Sequence, residues 1–185
     1  MTSNKKFIFF GVIFVFALVT GRNVSLQQAD RWFQSFDTLF SSTNQPPSQS
    51  DWQRVLRVVD GDTVELENGE KVRYIGMNAP ESVKPNWPVE CFGHEASDYN
   101  KQLVEGKRMR LEKDVSDRDK YGRLLRFVYL EDGTLVNDTL VREGYASVST
   151  FPPDVAKEAQ FKQAQQEARD AKRGLWAEAV CNGKK

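Results

Sequence analysis

Short β-rich runs separated by tight turns are the feature that most limits the fold of this chain. The turn sequences Asp60-Gly61-Asp62 and Asn68-Gly69 each lie between runs rich in Val, Ile and Thr. The predicted strands are residues 55–59, 63–66, 72–77, 107–115 and 122–130, with a last short one near 145–149. Short strands in this order predict a small closed barrel.

Three segments have the apolar spacing of helices and pack against that barrel in our prediction. The apolar face of the first helix is Phe92, Ala96, Tyr99 and Leu103, and that of the third is Phe161, Ala164, Ala168, Ala171 and Leu175. Asn137 is predicted to cap a short second helix that ends at Gly144. The third helix is predicted to begin at residues 152–154 and to end at Gly174.

The first 51 residues differ in character from the rest. Lys5 and Lys6 precede the apolar residues 7–19, a run shorter than the roughly 20 residues that cross a bilayer. A basic start and a short apolar run are typical of an export signal. We therefore expect residues 1–21 to be a signal peptide or an N-terminal anchor, and the protein to be secreted, periplasmic or held at the outer face of a membrane. A buried core helix is the alternative.

Residues 22–51 are predicted to form a linker that contains a possible short amphipathic helix. Its apolar face would be Leu26, Ala29, Phe33, Phe36 and Phe40. This helix either packs on the main domain or lies on a membrane surface, although its polar face lacks the Lys and Arg expected there. The folded domain is expected over residues 52–180, and residues 181–185 form a tail.

Charge and composition exclude several classes of protein. The chain has 185 residues with 26 Lys+Arg and 26 Asp+Glu, so its formal net charge is zero. A broadly basic nucleic-acid-binding domain is thereby excluded, and any site for a phosphate polymer must be a local cluster of cations. One His excludes a His-rich metal site, and two Cys are too few for a disulfide-built scaffold.

Polar groups collect where predicted strands end. Asp62 and Asn78 offer the oxygen ligands that a hard cation such as Ca²⁺ prefers. Glu81 can orient or deprotonate a water molecule. Arg73 and Arg123 carry planar guanidinium groups that match phosphate oxygens. A metal, a base and two arginines are the set that phosphodiester hydrolysis needs, because cations stabilise the charge that builds on phosphoryl oxygens.

In their order along the chain, these motifs resemble the staphylococcal nuclease (thermonuclease) family. The matching segments are Val-Val-Asp-Gly-Asp-Thr, Arg-x-Ile-Gly-x-x-Ala-Pro-Glu and Asp-x-Tyr-Gly-Arg, with further similarity at Phe92-Gly93, Val136-Asn137 and Gly174-Leu175-Trp176. The resemblance covers about residues 52–178. It implies an OB-fold of mainly β or α+β class, a five-stranded Greek-key barrel with three helices packed on it.

The resemblance also implies a Ca²⁺-dependent nuclease that hydrolyses DNA and RNA, preferably single-stranded, to 3′-phosphate ends by in-line attack of water. The implied metal ligands are Asp62, Asn78 and the main-chain carbonyl of Ala79. The implied catalytic residues are Arg73, Glu81 and Arg123, and the implied substrate contacts are Lys120 and Tyr121. A monomer is expected.

Two positions depart from the family pattern. The family usually has Asp where this chain has Asn78, so one negative charge is lost at the implied metal site. We expect weaker Ca²⁺ binding and retained activity, because affinity in such sites depends on the charge of the ligands. Near Thr150 and Phe151 the family often places tyrosine, and Phe151 offers a stacking face without a hydroxyl.

Several alternatives stay open at this stage. A weakened domain that binds single-stranded nucleic acid without cutting it, or that binds a protein partner, is the main alternative to an enzyme. In an exported protein the pair Cys91 and Cys181 indicates a disulfide between the tail and the loop before the first helix, and free buried thiols are the alternative. Asp119 belongs to a charged run that is expected to be a solvated loop.

Overall fold

The computed structural model describes residues 52–83, 86, 88–178 and 180–181. The predicted export signal, the predicted linker with its helix, and residues 182–185 of the tail lie outside these described residues. The described residues fall in a single compact unit. No helix among them is both long enough and apolar enough to cross a membrane.

Five strands close into the predicted barrel. The strands of the described residues are β1 Trp52–Asp60, β2 Thr63–Leu66, β3 Lys71–Tyr74, β4 Met77–Asn78, β5 Arg108–Glu112, β6 Leu124–Leu130 and β7 Ser147–Val148. The barrel order is β1-β2-β3-β6-β5, with β3 and β6 parallel and the other bonded neighbours antiparallel. This arrangement confirms the OB-fold.

Strand β1 closes the barrel because it belongs to two pairings. Its first residues pair with β5, and its later residues pair with β2. The pairing with β2 shifts register between Val55 and Arg57 and again between Val58 and Asp60. Such irregularities bend a strand and increase its twist, so β1 can pass from one side of the barrel to the other.

Three helices pack on the barrel, as predicted. They are α1 Gly93–Val104, α2 Val136–Arg142 and α3 Glu158–Asp170, and a 3₁₀ turn, Gly174–Trp176, follows them. Alternate residues of β2 and β3, such as Val64 and Val72, are fully buried in one cluster with Ala96 of α1 and Leu140 of α2. The core therefore joins barrel and helices.

The predicted strand 72–77 is wrong in one respect, because the chain turns in its middle. Strand β3 ends at Tyr74, and β4 leaves the barrel to pair with β7. Gly76 has φ of +80°, a left-handed conformation that favours glycine, and a Cβ there would lie 2.5 Å from the Phe161 ring. The turn thus lets α3 approach the barrel and directs Asn78 away from it.

The predicted start of the third helix is also wrong. The helix begins at Glu158 and ends at Asp170, because the preceding segment bonds to a loop instead. Asp154 accepts hydrogen bonds from the backbone N–H groups of Val115 and Ser116, at 3.0 and 2.8 Å. The N–H of Ala156 donates to Asp114. Residues 154–156 are therefore tied to the loop after β5.

Asn137 does not cap α2, contrary to the prediction. Leu135 holds the cap position, and the Asn137 side chain is buried between two parts of the barrel. Its Oδ1 accepts from the N–H of Val128 at 2.9 Å, and its Nδ2 donates to the carbonyl of Ile75 at 3.0 Å. Asn137 thus bonds to two backbone groups of buried residues, the Val128 N–H and the Ile75 carbonyl.

We expect Asn137→Ala to lower the free energy of unfolding by at least about 2 kcal/mol, because it leaves the Val128 N–H and the Ile75 carbonyl buried without that partner. Urea denaturation followed by circular dichroism measures this. The matched control is Asn68→Ala, which removes an amide at an exposed turn and should cost about 1 kcal/mol or less. Equal costs for the two variants would contradict the structural role of Asn137.

Candidate active site

A cleft of about 500 Å³ gathers most of the residues that the sequence pointed to. The predicted residues along it are Asp62, Arg73, Asn78, Ala79, Glu81, Tyr121 and Arg123. They come from the turn after β1, from β3 and β4, from the segment after β4, and from the loop before β6. Asp60 and Glu90 also line the cleft. Lys120 lies beside it, with its Nζ 5.0 Å from the centre of the Tyr121 ring.

The Asp60-Gly61-Asp62 turn lies directly against Ala79 and α1. A Cβ on Gly61 would be 2.5 Å from the Cβ of Ala79 and 3.1 Å from that of Ala96. This close approach brings Asp62, which is 5% exposed, into contact with the chain that leaves β4. Asp62 Oδ2 accepts from the Ala79 N–H at 2.9 Å, and Oδ1 accepts from the Thr63 hydroxyl at 3.0 Å.

Arg73 joins the two side chains that were predicted as metal ligands. Its Nη2 lies 3.0 Å from Asp62 Oδ2 and donates to Asn78 Oδ1 at 2.8 Å. Its Nη1 donates to the carbonyls of Tyr74 and Met77, both at 3.1 Å. The turn between β3 and β4 therefore wraps around the guanidinium group and fixes its orientation in the cleft wall.

Arg123 is held by Asp119, a contact that the sequence analysis missed. Asp119 Oδ2 accepts from Arg123 Nε at 2.7 Å, and Oδ1 accepts from the N–H groups of Tyr121 and Arg123 at 2.9 and 3.0 Å. Partial burial opposes ionisation of Asp119, but these hydrogen bonds outweigh it and hold its pKa below the usual value. The four-residue spacing of Asp119 and Arg123 in the motif was the available signal.

Aromatic side chains lie at the rim of the site and beyond it. Tyr121 is 71% exposed, and the guanidinium carbon of Arg123 lies 5.4 Å from its ring centre. A cation near an exposed ring gives a flat, positively charged contact surface. Phe151 is 73% exposed and bridges to Asp154, but it is not among the residues that line the cleft.

Two further carboxylates, those of Asp60 and Glu81, line the cleft. Burial raises the pKa of Asp60 to about 6, and the nearby Asp62 and Glu81 add to this effect. Hydrogen bonds from the Ser82 hydroxyl, at 2.6 Å, and from the Gly61 N–H oppose it. Glu81 Oε1 accepts from the Val83 N–H at 3.1 Å, so the Glu81 side chain turns back on its own loop.

Glu90 also lines the cleft, and a cysteine pair lies next to it in sequence. The Glu81 N–H donates to Glu90 Oε2 at 3.0 Å, and the Glu90 N–H donates to the Glu81 carbonyl at 2.8 Å. Nothing in the sequence motifs indicated Glu90. Next to it, Cys91 is joined to Cys181 by a disulfide, with the Cα atoms 6.0 Å apart and a sequence separation of 90.

The oxygen atoms near Asp62 are of the type that a hard cation takes, and in this structure Asp62 Oδ2 and Asn78 Oδ1 both face Arg73 Nη2. Asp62, Asn78 and the Ala79 carbonyl offer oxygen only, the ligand type that Ca²⁺ and Mg²⁺ prefer. No group of three or more His, Cys, Asp and Glu side chains within the described residues stands ready to hold an ion. A cation at this site would therefore rely on an amide, a main-chain carbonyl and water in addition to carboxylate.

The barrel and the cleft together define an OB-fold protein whose site combines buried carboxylate with two oriented arginines. The chain belongs to the family of staphylococcal nuclease homologues, whose model matches residues 71–178. This membership confirms the resemblance found in the sequence motifs.

Similar proteins include two thermonucleases. The thermonuclease of Staphylococcus hyicus is 36% identical over 141 residues, which cover 75% of this chain and 83% of that protein. The thermonuclease of Staphylococcus intermedius is 41% identical over 125 residues, 66% of this chain and 74% of that protein. Endonuclease YncB of Bacillus subtilis is 43% identical over 128 residues, 66% of this chain and 60% of that protein.

We expect Gly61→Ala to destabilise the fold by about 1 to 3 kcal/mol, because its new methyl group overlaps that of Ala79. Ala79→Gly in the same chain removes the clashing atom. The double variant should therefore be more stable than the sum of the two single effects predicts, by about 1 kcal/mol. Urea denaturation of all four proteins checks this, and simple additivity would contradict the direct contact.

Proposed function

We propose that this protein is a nuclease that hydrolyses phosphodiester bonds of DNA and RNA, preferring single strands, with the help of Ca²⁺. The observation that carries the proposal is the convergence of Asp62, Glu81, Arg73 and Arg123 on one cleft. The nuclease names of its relatives support the same conclusion. The products would carry 3′-phosphate ends.

The arginines would bind the scissile phosphate. Each guanidinium is permanently charged and presents a planar set of donors to phosphate oxygens. Arg123 is aimed by Asp119, and Arg73 by Asp62, Asn78 and two carbonyls. Because both groups are oriented before substrate arrives, they can stabilise the charge that develops on the phosphoryl oxygens without reorganising.

Glu81 would act as the general base. It lines the same cleft as the arginines, where it can accept a proton from a water molecule that attacks phosphorus. In-line attack would break the bond to the 5′ oxygen, and that oxygen would leave on the opposite side. Lys120 and Tyr121, exposed beside Arg123, would contact a neighbouring phosphate.

Asp62, Asn78 and the Ala79 carbonyl are the groups that would hold Ca²⁺. When bound, the ion would add positive charge next to the phosphate and so offset the charge of the transition state. Asp62 is held in place for this role by the Thr63 hydroxyl and the Ala79 N–H. Asn78 contributes a neutral oxygen, so binding of the ion should be weaker than with a second carboxylate.

We propose that the enzyme works outside the cytoplasm as a monomer. The basic and apolar residues 1–21 support export or anchoring at the outer face of a membrane. The disulfide between Cys91 and Cys181 is consistent with an oxidising compartment.

Digestion of denatured DNA by the full chain tests this function. We expect cleavage with millimolar Ca²⁺ and none with chelator. Glu81→Gln and Arg123→Ala should each lower kcat by about two to four orders of magnitude, since each removes a group that acts in the transition state. Arg108→Ala is the control, because Arg108 pairs with Glu131 on the barrel surface.

Cleavage that persists in chelator would overturn the metal-dependent mechanism. Binding of single-stranded DNA without any cleavage would instead support the alternative, a weakened domain that only binds nucleic acid.

Asn78→Asp tests the proposed metal site. The added negative charge should lower the Ca²⁺ concentration for half-maximal activity by about tenfold. Calcium titrations of activity, together with calorimetry of Ca²⁺ binding, measure this shift. Asn68→Asp makes the same charge change at an exposed turn and should leave the Ca²⁺ dependence unchanged. An equal shift in both variants would mean that net charge, and not coordination by residue 78, sets the affinity.

A further inference from the structure

We propose that residues 90–93 position Glu81, and that the disulfide between Cys91 and Cys181 makes this positioning sensitive to reduction. The inference rests on the role of Glu81 in the proposed function. It assigns Glu90 as a positioning residue and the cysteine pair as a switch on the rate of cleavage.

The main chain of Glu81 is held by residues 90–93 at three points. Its N–H donates to the Glu90 carboxylate at 3.0 Å, and its carbonyl accepts from the Glu90 N–H at 2.8 Å. A Cβ on Gly93 would lie 2.6 Å from the same carbonyl oxygen, so the first turn of α1 packs directly on it. Glu81 is therefore supported by this segment, whereas both arginines are supported by strands and a loop of the barrel.

Immediately after Glu81, Ser82 is 8% exposed and donates to Asp60 Oδ1 at 2.6 Å, whereas the described residues between 83 and 89 are exposed. Val83 and Val89, which lie between Glu81 and Glu90 in sequence, are 56% and 48% exposed. Because exposed segments open more readily than packed ones, the contacts that add to the Ser82 bond in fixing Glu81 are those at the far end of this loop, at residues 90–93.

Residues 90–93 are in turn held by contacts with Tyr145 and Cys181. Phe92 has φ of +70°, a conformation that is unfavourable for a residue with a side chain. Its ring stacks on Tyr145 with the centres 5.3 Å apart. The neighbouring Cys91 is bonded to Cys181, which is 7% exposed and follows the 3₁₀ turn after α3. The unfavourable backbone conformation of Phe92 persists because these surrounding contacts enforce it.

Reduction would remove the covalent part of this support. Cys91 is exposed, so a dithiol such as dithiothreitol can reach the bond. The reductant supplies two electrons and two protons, the S–S bond breaks to give two thiols, and the reductant closes to its own disulfide. Residues 90–93 can then relax, and Glu81 loses its fixed place relative to the arginines. We expect kcat to fall, because small misplacement of a reacting group slows the reaction strongly.

Three variants of the full chain test the positioning role. Glu90→Ala should lower kcat by about ten- to a hundredfold and change KM less than twofold, since the phosphate-binding arginines are untouched. Glu90→Gln keeps an oxygen that accepts from the Glu81 N–H and should recover most of the rate. Glu95→Ala removes an exposed carboxylate of the same helix and should leave kcat unchanged. If Glu90→Gln behaves like Glu90→Ala, Glu90 acts through its charge. If KM rises while kcat is unchanged, Glu90 affects substrate binding. Either result contradicts the positioning role.

Amide hydrogen exchange tests the switch without relying on activity. In the oxidised full chain, the amides of Glu81 and Glu90 should be protected, and dithiothreitol should speed their exchange by at least about tenfold. Strand β6 serves as the internal control and should keep its protection, because its hydrogen bonds do not involve the tail. The double variant Cys91→Ser/Cys181→Ser should show the exchange rates of the reduced protein, and dithiothreitol should not change them.

The outcomes separate this inference from the proposed function. Unchanged exchange at Glu81 after complete reduction overturns the switch, whether or not the protein cuts DNA. Faster exchange across β6 as well as at Glu81 also overturns it, since reduction would then loosen the whole domain. Faster exchange at Glu81 alone, in a protein that never cleaves, supports the positioning and refutes the nuclease.

Discussion

The ion pair between the buried Asp62 and the partly exposed Arg73 is the constraint on which the site depends. A carboxylate that is 5% exposed cannot stay charged without partners, because taking it out of water costs several kcal/mol. Asp62 finds them in the Arg73 guanidinium, the Ala79 N–H and the Thr63 hydroxyl. These three partners come from β3, from the segment after β4 and from β2. Through the Ala79 N–H, the Asp62 carboxylate thus connects the barrel to the chain that leads to Glu81.

Local signals explain why so much of the barrel could be predicted from the sequence. Turn pairs such as Asn68-Gly69 and alternating apolar residues act over a few positions, so they mark strands without knowledge of the rest of the chain. The errors arose where distant residues decide the outcome. Asn137 bonds to β6 and to the turn between β3 and β4, so it does not cap α2. Asp154 bonds to the loop after β5, and α3 begins only at Glu158. In the site, motifs identified Arg123 but not Glu90, whose role depends on a contact across a loop.

The zero net charge is consistent with a site for phosphate because the cations of the barrel surface are mostly paired with nearby acids. Arg57 pairs with Glu65, Arg108 with Glu131, and Arg118 with Glu70. Such exposed pairs contribute little to stability, but they cancel the long-range field. Arg73 and Arg123 are paired as well, with Asp62 and Asp119, but their planar guanidinium groups line the cleft, where a phosphate can contact them directly. A nucleic acid would therefore be bound through local contacts with Arg73 and Arg123, and not through a broad positively charged surface.

The two halves of the cleft differ in how firmly the fold holds them. Arg73 lies in strand β3, and Arg123 is fixed by Asp119 immediately before β6, so the phosphate-binding side shares the rigidity of the barrel. Glu81 lies outside the barrel strands and is tied to a segment whose own support includes a disulfide and the stacked rings of Phe92 and Tyr145. A barrel of this size can evolve new substrates or new control on that second side without disturbing its core, since the contacts that would change are not those that bury Val64 or Val72.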